Sequence, residues 1–99
     1  MDVDADGFDW DVANLDKCQK HGVSIAEIEA LLLESPRIAH DLRHSGNEHR
    51  LVAVGRNHLG RAVFVAFTIR LKDDKRLIRP LSARYMHRKE IEGYEKDGS

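Results

Sequence analysis

Ninety-nine residues are enough for one domain with one hydrophobic core and too few for two. With 41% hydrophobic and 33% charged residues the chain is globular, and no apolar run approaches the roughly 20 residues that a membrane-spanning helix needs. The net charge of −1 hides an asymmetry. Six aspartates come before the first basic residue, Lys17, and from there on sixteen basic residues face eleven acidic ones. An acidic edge followed by a basic body permits contact with nucleic-acid phosphate without requiring it.

Residues 1–7 read as an acidic, disordered tail, and a single domain is expected over residues 8–96. The acidic start is the opposite of a secretory signal, so the expected address is the cytoplasm. Phe8-Asp9-Trp10 alternates as a short edge strand would. Asp11 can cap a helix running to about Lys20, with Leu15 and Cys18 turned inward, and Gly22 suits the position that ends it. Ser24-Ile25-Ala26-Glu27 has the spacing of a capping box. Ile25, Ile28, Leu31 and Leu32 supply the apolar stripe of a second helix, which Pro36 stops. The two helices form a hairpin joined at His21-Gly22-Val23.

Beyond Pro36 the periodicity changes. Ile38–Leu42 reads as a strand, Arg43–Glu48 as a polar loop, and Leu51–Val54 as a second strand ended by Gly55. Ala62–Ile69 is apolar throughout and β-prone, as expected of a central strand buried on both faces. A charged turn at Lys72–Lys75 leads into a last strand, Arg76–Ser82, where Pro80 argues for a sheet edge or a bulge. His87, Ile91 and Tyr94 then share one face of a terminal helix. The expected fold is α+β: an antiparallel meander with an N-terminal α-hairpin and a C-terminal helix, in the order β-α-α-β-β-β-β-α.

No phosphate-binding loop, dinucleotide fingerprint or nucleophile motif is present. Six histidines (His21, His40, His44, His49, His58 and His87) show no converging ligand set, so neither metal nor cofactor is expected. The single cysteine, Cys18, has no internal disulfide partner and fits the core. What remains is a group of the chemical types that metal-free RNA cleavage needs: a base for the 2′-hydroxyl, cations for the phosphorane, and an acid for the leaving oxygen. Lys20, His21, Arg50, Arg84, His87, Glu90 and Tyr94 are of those types. Arg79, Arg88 and Lys89 add positive charge near the C-terminus.

Phe8-Asp9-Trp10-Asp11, Asn14, Lys20-His21-Gly22-Val23-Ser24, Glu48-His49-Arg50, Gly55-Arg56 and Leu81-Ser82-Ala83-Arg84 with Glu90 and Tyr94, in that order, resemble the BrnT toxins over residues 8–95. The resemblance implies a compact RelE-like fold and a metal-independent ribonuclease that arrests translation. It also implies neutralisation by a BrnA-like ribbon-helix-helix antitoxin, whose complex represses its own operon, so that DNA is met only through that partner. Carried over by position, Lys20, His21, Arg50, Arg84, Glu90 and Tyr94 are candidate catalytic residues. Arg56, Arg79, Arg88 and His49 are candidates for binding RNA. Arg84 is favoured for phosphate contact, followed by Arg50 and Lys20, while His21, His49 and Glu90 compete as the base. Blander roles stand beside these: Lys20 and His21 as helix-end cations, Glu90 as a salt-bridge partner of Arg84, Tyr94 as core. A non-catalytic module gripping a small DNA-binding protein is the rival reading.

Overall fold

The computed structural model describes residues 5–34, 36–40 and 50–97, with side chains as far as residue 93. The elements in chain order are β1 (Gly7–Phe8), α1 (Val12–Gln19), α2 (Ile25–Leu33), β2 (Arg37–His40), β3 (Leu51–Arg56), β4 (Ala62–Lys72), β5 (Lys75–Tyr85) and α3 (Arg88–Asp97). The expected Arg43–Glu48 loop, the end of the strand before it, and His44 and His49 lie outside the described residues.

Five strands form one sheet in the order β1-β5-β4-β3-β2. The pairs from β2 to β5 are antiparallel, as the meander requires, but β1 runs parallel to β5. The sheet is therefore mixed, which corrects the all-antiparallel expectation. Parallel neighbours need a long crossover, and here the whole intervening chain supplies it. Asp6 and Gly7, assigned to the tail by sequence, belong to this seam. The Asp6 amide donates to the Arg76 carbonyl (2.7 Å), and the Asp6 carboxylate accepts from the Arg76 amide (2.9 Å).

Strand β4 is central and buried on both faces. Val63, Val65 and Phe67 alternate with Ala62, Ala66 and Thr68, and all six are buried. The first set packs with Ala53, Ile78 and Ala83 beneath Cys18 of α1, Val23 of the interhelical turn, and Ile28, Leu31 and Leu32 of α2. Close approach of α2 to β3 relies on Gly55: a Cβ there would sit 3.1 Å from the Leu31 Cγ. The β4–β5 hairpin turns through Asp73 and Asp74, both at positive φ (53° and 64°), the geometry whose twist suits a two-residue hairpin.

Strand β5 carries the consequential irregularity. Phe67 pairs with Pro80 and Ala66 with Ser82, leaving Leu81 as an extra residue. Ile78 and Ala83 are five positions apart and would face opposite sides of a regular strand. The bulge brings both into the core and turns Ser82 and Arg84 to the other face. Pro80, immediately before it, lies past Ile78, the last β5 residue that β1 pairs, so its missing N–H costs no hydrogen bond there. Strand β5 also runs to Tyr85, so Ala83 and Arg84 lie inside it and not at a strand–helix join.

Both N-terminal helices start on capping boxes, Asp11 with Asn14 and Ser24 with Glu27. In α1 the inward residues are Cys18 and Asn14, while Leu15 is half-exposed. A buried asparagine takes the place of the expected leucine because both its side-chain polar atoms are hydrogen-bonded. Oδ1 accepts from the Asp11 amide (2.7 Å), and Nδ2 donates to the carbonyls of Asp9 (2.9 Å) and Pro80 (2.9 Å). The turn after α1 places Gly22 at φ 89°, the left-handed position that glycine occupies without strain. His87 precedes α3 and is exposed, so it does not share the helix's apolar side. Ile91, half-buried, lies near Met86, Ala62 and Val54.

Candidate active site

A cleft of about 510 Å³ opens between α1 and β5. Ala13, Asn14, Lys17, Lys20 and the turn residue His21 form one wall. Arg79, Leu81 and Ser82 form the other, and Arg50, just before β3, completes the lining. Helical spacing explains the first wall, since residues three and four apart fall on one side: Ala13 with Lys17, and Lys17 with Lys20. The bulge explains the second, because it sets Leu81 and Ser82 where a regular strand would not. Among the described residues no carboxylate lines the cleft.

Its two arginines differ in how they are held. Arg79 is 11% exposed and pinned by Asp11 (Nη2 to Oδ2, 2.9 Å) and more loosely by Asp9 (3.6 Å). The Asp11 carboxyl is held below the usual carboxylate range, mainly by the Asn14 backbone N–H it accepts as helix cap, with Arg79 adding to the effect. By contrast the Nε of Arg50 is buried and, among the described residues, has no hydrogen-bond partner. An unsatisfied donor on a buried cation is costly, and an acceptor entering the cleft would relieve it.

Arg84 and Glu90 do not line this cleft; they clasp one another. Both Nη atoms of Arg84 donate to the two carboxylate oxygens of Glu90, at 2.7 and 2.8 Å, while the guanidinium lies 4.5 Å from the Phe64 ring centroid. Glu90 also accepts the His87 backbone N–H at the start of α3 (3.0 Å). Arg84 first, and then that N–H, pull the Glu90 carboxyl down to about 2. The favoured phosphate contact thus has both its Nη groups engaged by a carboxylate.

The remaining candidates are scattered. Arg56 donates through Nη1 to the Gly60 carbonyl (2.8 Å) and, with Arg37, rims a smaller hollow lined by Val54, Gly55, Ala62, Met86 and Ile91. Arg88 is 94% exposed, with Glu92 at 3.9 Å. Tyr94 lies in α3, its side chain outside the described residues, as is all of His49. Of the ten candidates, then, the structure gathers Lys20, His21, Arg50 and Arg79.

Three polar lining residues were not among the candidates. Lys17 was findable from its i, i+3 relation to Lys20. Asn14 stood only among the residues of the family resemblance, with no role assigned, and the placing of Ser82 depends on the bulge. A separate polar knot also went unforeseen. Glu27 accepts from Asn57 (3.0 Å) and from the Tyr85 hydroxyl (2.9 Å), and the Arg61 guanidinium lies 3.6 Å from the Tyr85 ring centroid. Asn57 chiefly lowers the Glu27 carboxyl, while the bond to Glu27 raises the Tyr85 phenol. The knot ties α2 to the β3–β4 connection and the end of β5. Cys18 is fully buried, and burial pushes its thiol up to about 11, as for an inert core residue.

Among the described residues no three His, Cys, Asp or Glu side chains come together as a metal-holding group, and no helix is long and apolar enough to cross a membrane. No match to a curated protein was found. Residues 10–90 match the family model described as the ribonuclease toxin, BrnT, of type II toxin-antitoxin systems, a span that includes the cleft, the clasp and every strand from β2 to β5; the chain belongs to the BrnT family.

Proposed function

We propose that this toxin cleaves RNA in the cleft between α1 and β5, without a metal, by attack of the 2′-hydroxyl on the adjacent phosphate. The observation that carries this reading is the convergence of Lys17, Lys20, His21, Arg50 and Arg79 on a cleft to which no described residue contributes a carboxylate, with the Arg50 Nε buried and unsatisfied among the described residues. Arg50 and Lys20 would stabilise the charge that grows on the phosphorane. His21, the imidazole lining the cleft, is of the right type to take the 2′ proton. An ammonium from Lys17 or Lys20 would return a proton to the departing 5′ oxygen. Ser82 can donate to a non-bridging oxygen. Arg84 and Glu90 would act indirectly, holding the start of α3 against β5.

A type II system implies an antitoxin partner. We take it to be a BrnA-like ribbon-helix-helix protein that covers the basic cleft, with a RelE-like toxin fold acting in the cytoplasm. The test is purified toxin on a mixed-sequence RNA in excess chelator, wild type beside Arg50→Ala. Cleavage with 2′,3′-cyclic phosphate ends that is lost in the variant is expected. Chelator-sensitive cleavage would overturn the metal-independent chemistry, and equal activity of the variant would overturn the site.

A further inference from the structure

Two walls that meet in a cleft must be held at a fixed separation if a phosphate is to touch both. In this cleft one wall is a helix and the other a bulged strand, and neither element dictates where the other sits. The bulge makes the difficulty worse. At Leu81 the ladder to β4 is interrupted, and β1 pairs only as far as Ile78, so on that side no strand among the described residues pairs with β5 where it carries Leu81 and Ser82.

Arg79 ties the strand wall to the helix cap through Asp11, and a bond that crosses directly from wall to wall comes from Asn14. Its side-chain amide donates to the Pro80 carbonyl, the last ordinary residue before the bulge, and to the Asp9 carbonyl ahead of α1, each at 2.9 Å. Its Oδ1 accepts from the Asp11 amide (2.7 Å), and its own amide donates to the Asp11 carboxylate (3.2 Å). Asn14 is 3% exposed, and the next turns of the same helix carry Lys17 and Lys20 into the cleft. One residue thus registers the helix start, the bulge and the lysines against one another. A capping role alone accounts only for the bonds to Asp11; Asp or Ser would serve there, and neither could donate to two carbonyls at once.

Accepting the cleft as the site of RNA cleavage, we propose that Asn14 is a positioning residue for that reaction: it fixes the distance between the Lys17–Lys20 wall and the Ser82–Arg50 wall, and thereby the alignment of the phosphate for in-line attack. Such alignment is sensitive, since a misplacement of about 1 Å can slow a reaction by about 100-fold. Binding is less sensitive, because charge attraction tolerates small shifts. The signature is therefore loss of rate with affinity largely kept.

The experiment uses the full chain and two RNAs of identical sequence, one normal and one with 2′-deoxy sugars that cannot react. Single-turnover cleavage at saturating RNA and anisotropy binding of the unreactive strand are measured well below the melting temperature. Asn14→Ala is compared with Leu32→Ala, a core substitution in α2 away from the cleft, and with Asn14→Ser, which keeps one short donor if the alanine variant fails to fold. About 100-fold slower cleavage by Asn14→Ala, with affinity within about threefold and wild-type rate in folded Leu32→Ala, is the expected result; Asn14→Ser should fall between. Unchanged cleavage in a folded Asn14 variant overturns the inference. So does a loss of rate matched by Leu32→Ala, which would mark a purely structural residue. If wild type itself binds but does not cleave, the ribonuclease reading of the cleft has failed and takes this inference with it, an outcome distinguished by the wild-type lane alone.

Discussion

Arg50 and Arg84 are both half-buried arginines associated with the same sheet, and their surroundings differ in kind. Arg84 meets a carboxylate that matches its planar fork, stacks near an aromatic ring, and has a helix start secured beside it. Arg50 opens onto a cleft of cations and keeps a buried N–H without an acceptor among the described residues. Satisfied polar groups hold a structure together, whereas an unsatisfied one stores free energy that a ligand can release. The comparison separates an arginine that builds the molecule from the one we propose for phosphate, a distinction that residue type alone does not make.

The sharpest way to break the comparison is to truncate each arginine. Arg50→Ala should lower the single-turnover cleavage rate by roughly 100-fold or more, the usual effect of removing a stabiliser of developing oxyanion charge, with little change in melting temperature. Arg84→Ala should do the reverse. It is expected to cost about 1–2 kcal/mol of stability in urea unfolding, by stranding Glu90, and to reduce cleavage less than Arg50→Ala does. The opposite ranking of the two rates would move the phosphate site to the clasp.

Acid sharpens it further. The Glu90 carboxyl is lowered to about 2 in the folded protein from an ordinary value of 4.5, so the clasp contributes stability that is fully present above pH 4.5 and is lost as the pH falls towards 2. One third of the side chain is exposed, and solvent screening limits the contribution to roughly 1 kcal/mol. Urea midpoints measured between pH 5 and 2 should fall more steeply for the wild type than for Glu90→Gln. Parallel curves would mean that the clasp contributes nothing.

Salt reads the cleft. Lys17→Ala and Lys20→Ala should each flatten the dependence of log affinity for single-stranded RNA on log salt by about 0.7, one phosphate's share of counterion release. An unaltered slope would place that lysine outside the RNA path. Arg88→Ala, at a side chain 94% exposed, should leave the slope unchanged and stability within about 0.5 kcal/mol, and serves as the baseline for the others.

Much of this architecture was readable in advance because it is written locally. Asp11 and Ser24 cap their helices through atoms three residues away, Gly22 takes a backbone angle that few other residues tolerate, and the apolar run from Ala62 belongs on a strand buried on both sides. These are short-range demands, satisfied within a turn of helix or along one strand, so the order of residues suffices to state them. The family likeness rested on the same local motifs. Lys20, His21 and Arg50 could be named from it as candidates, and Arg79 from the positive charge near the C-terminus, but not as neighbours.

What tertiary structure alone decided was which side chains meet. The extra residue at Leu81 reverses the sides of everything after it in β5, sending Ala83 to the core and Arg84 to Glu90, and no residue type signals such a shift of register beyond the hint of Pro80. The parallel seam of β1 with β5 joins residues about seventy positions apart. Asn14 was legible only as part of the family motif, and its bond to the Pro80 carbonyl appeared only when that residue was brought to it from sixty-six positions away. Local chemistry can be read along the chain because its partners are adjacent there. The cleft and the clasp could not, because their partners are set by packing and strand register, which act only once the chain has folded.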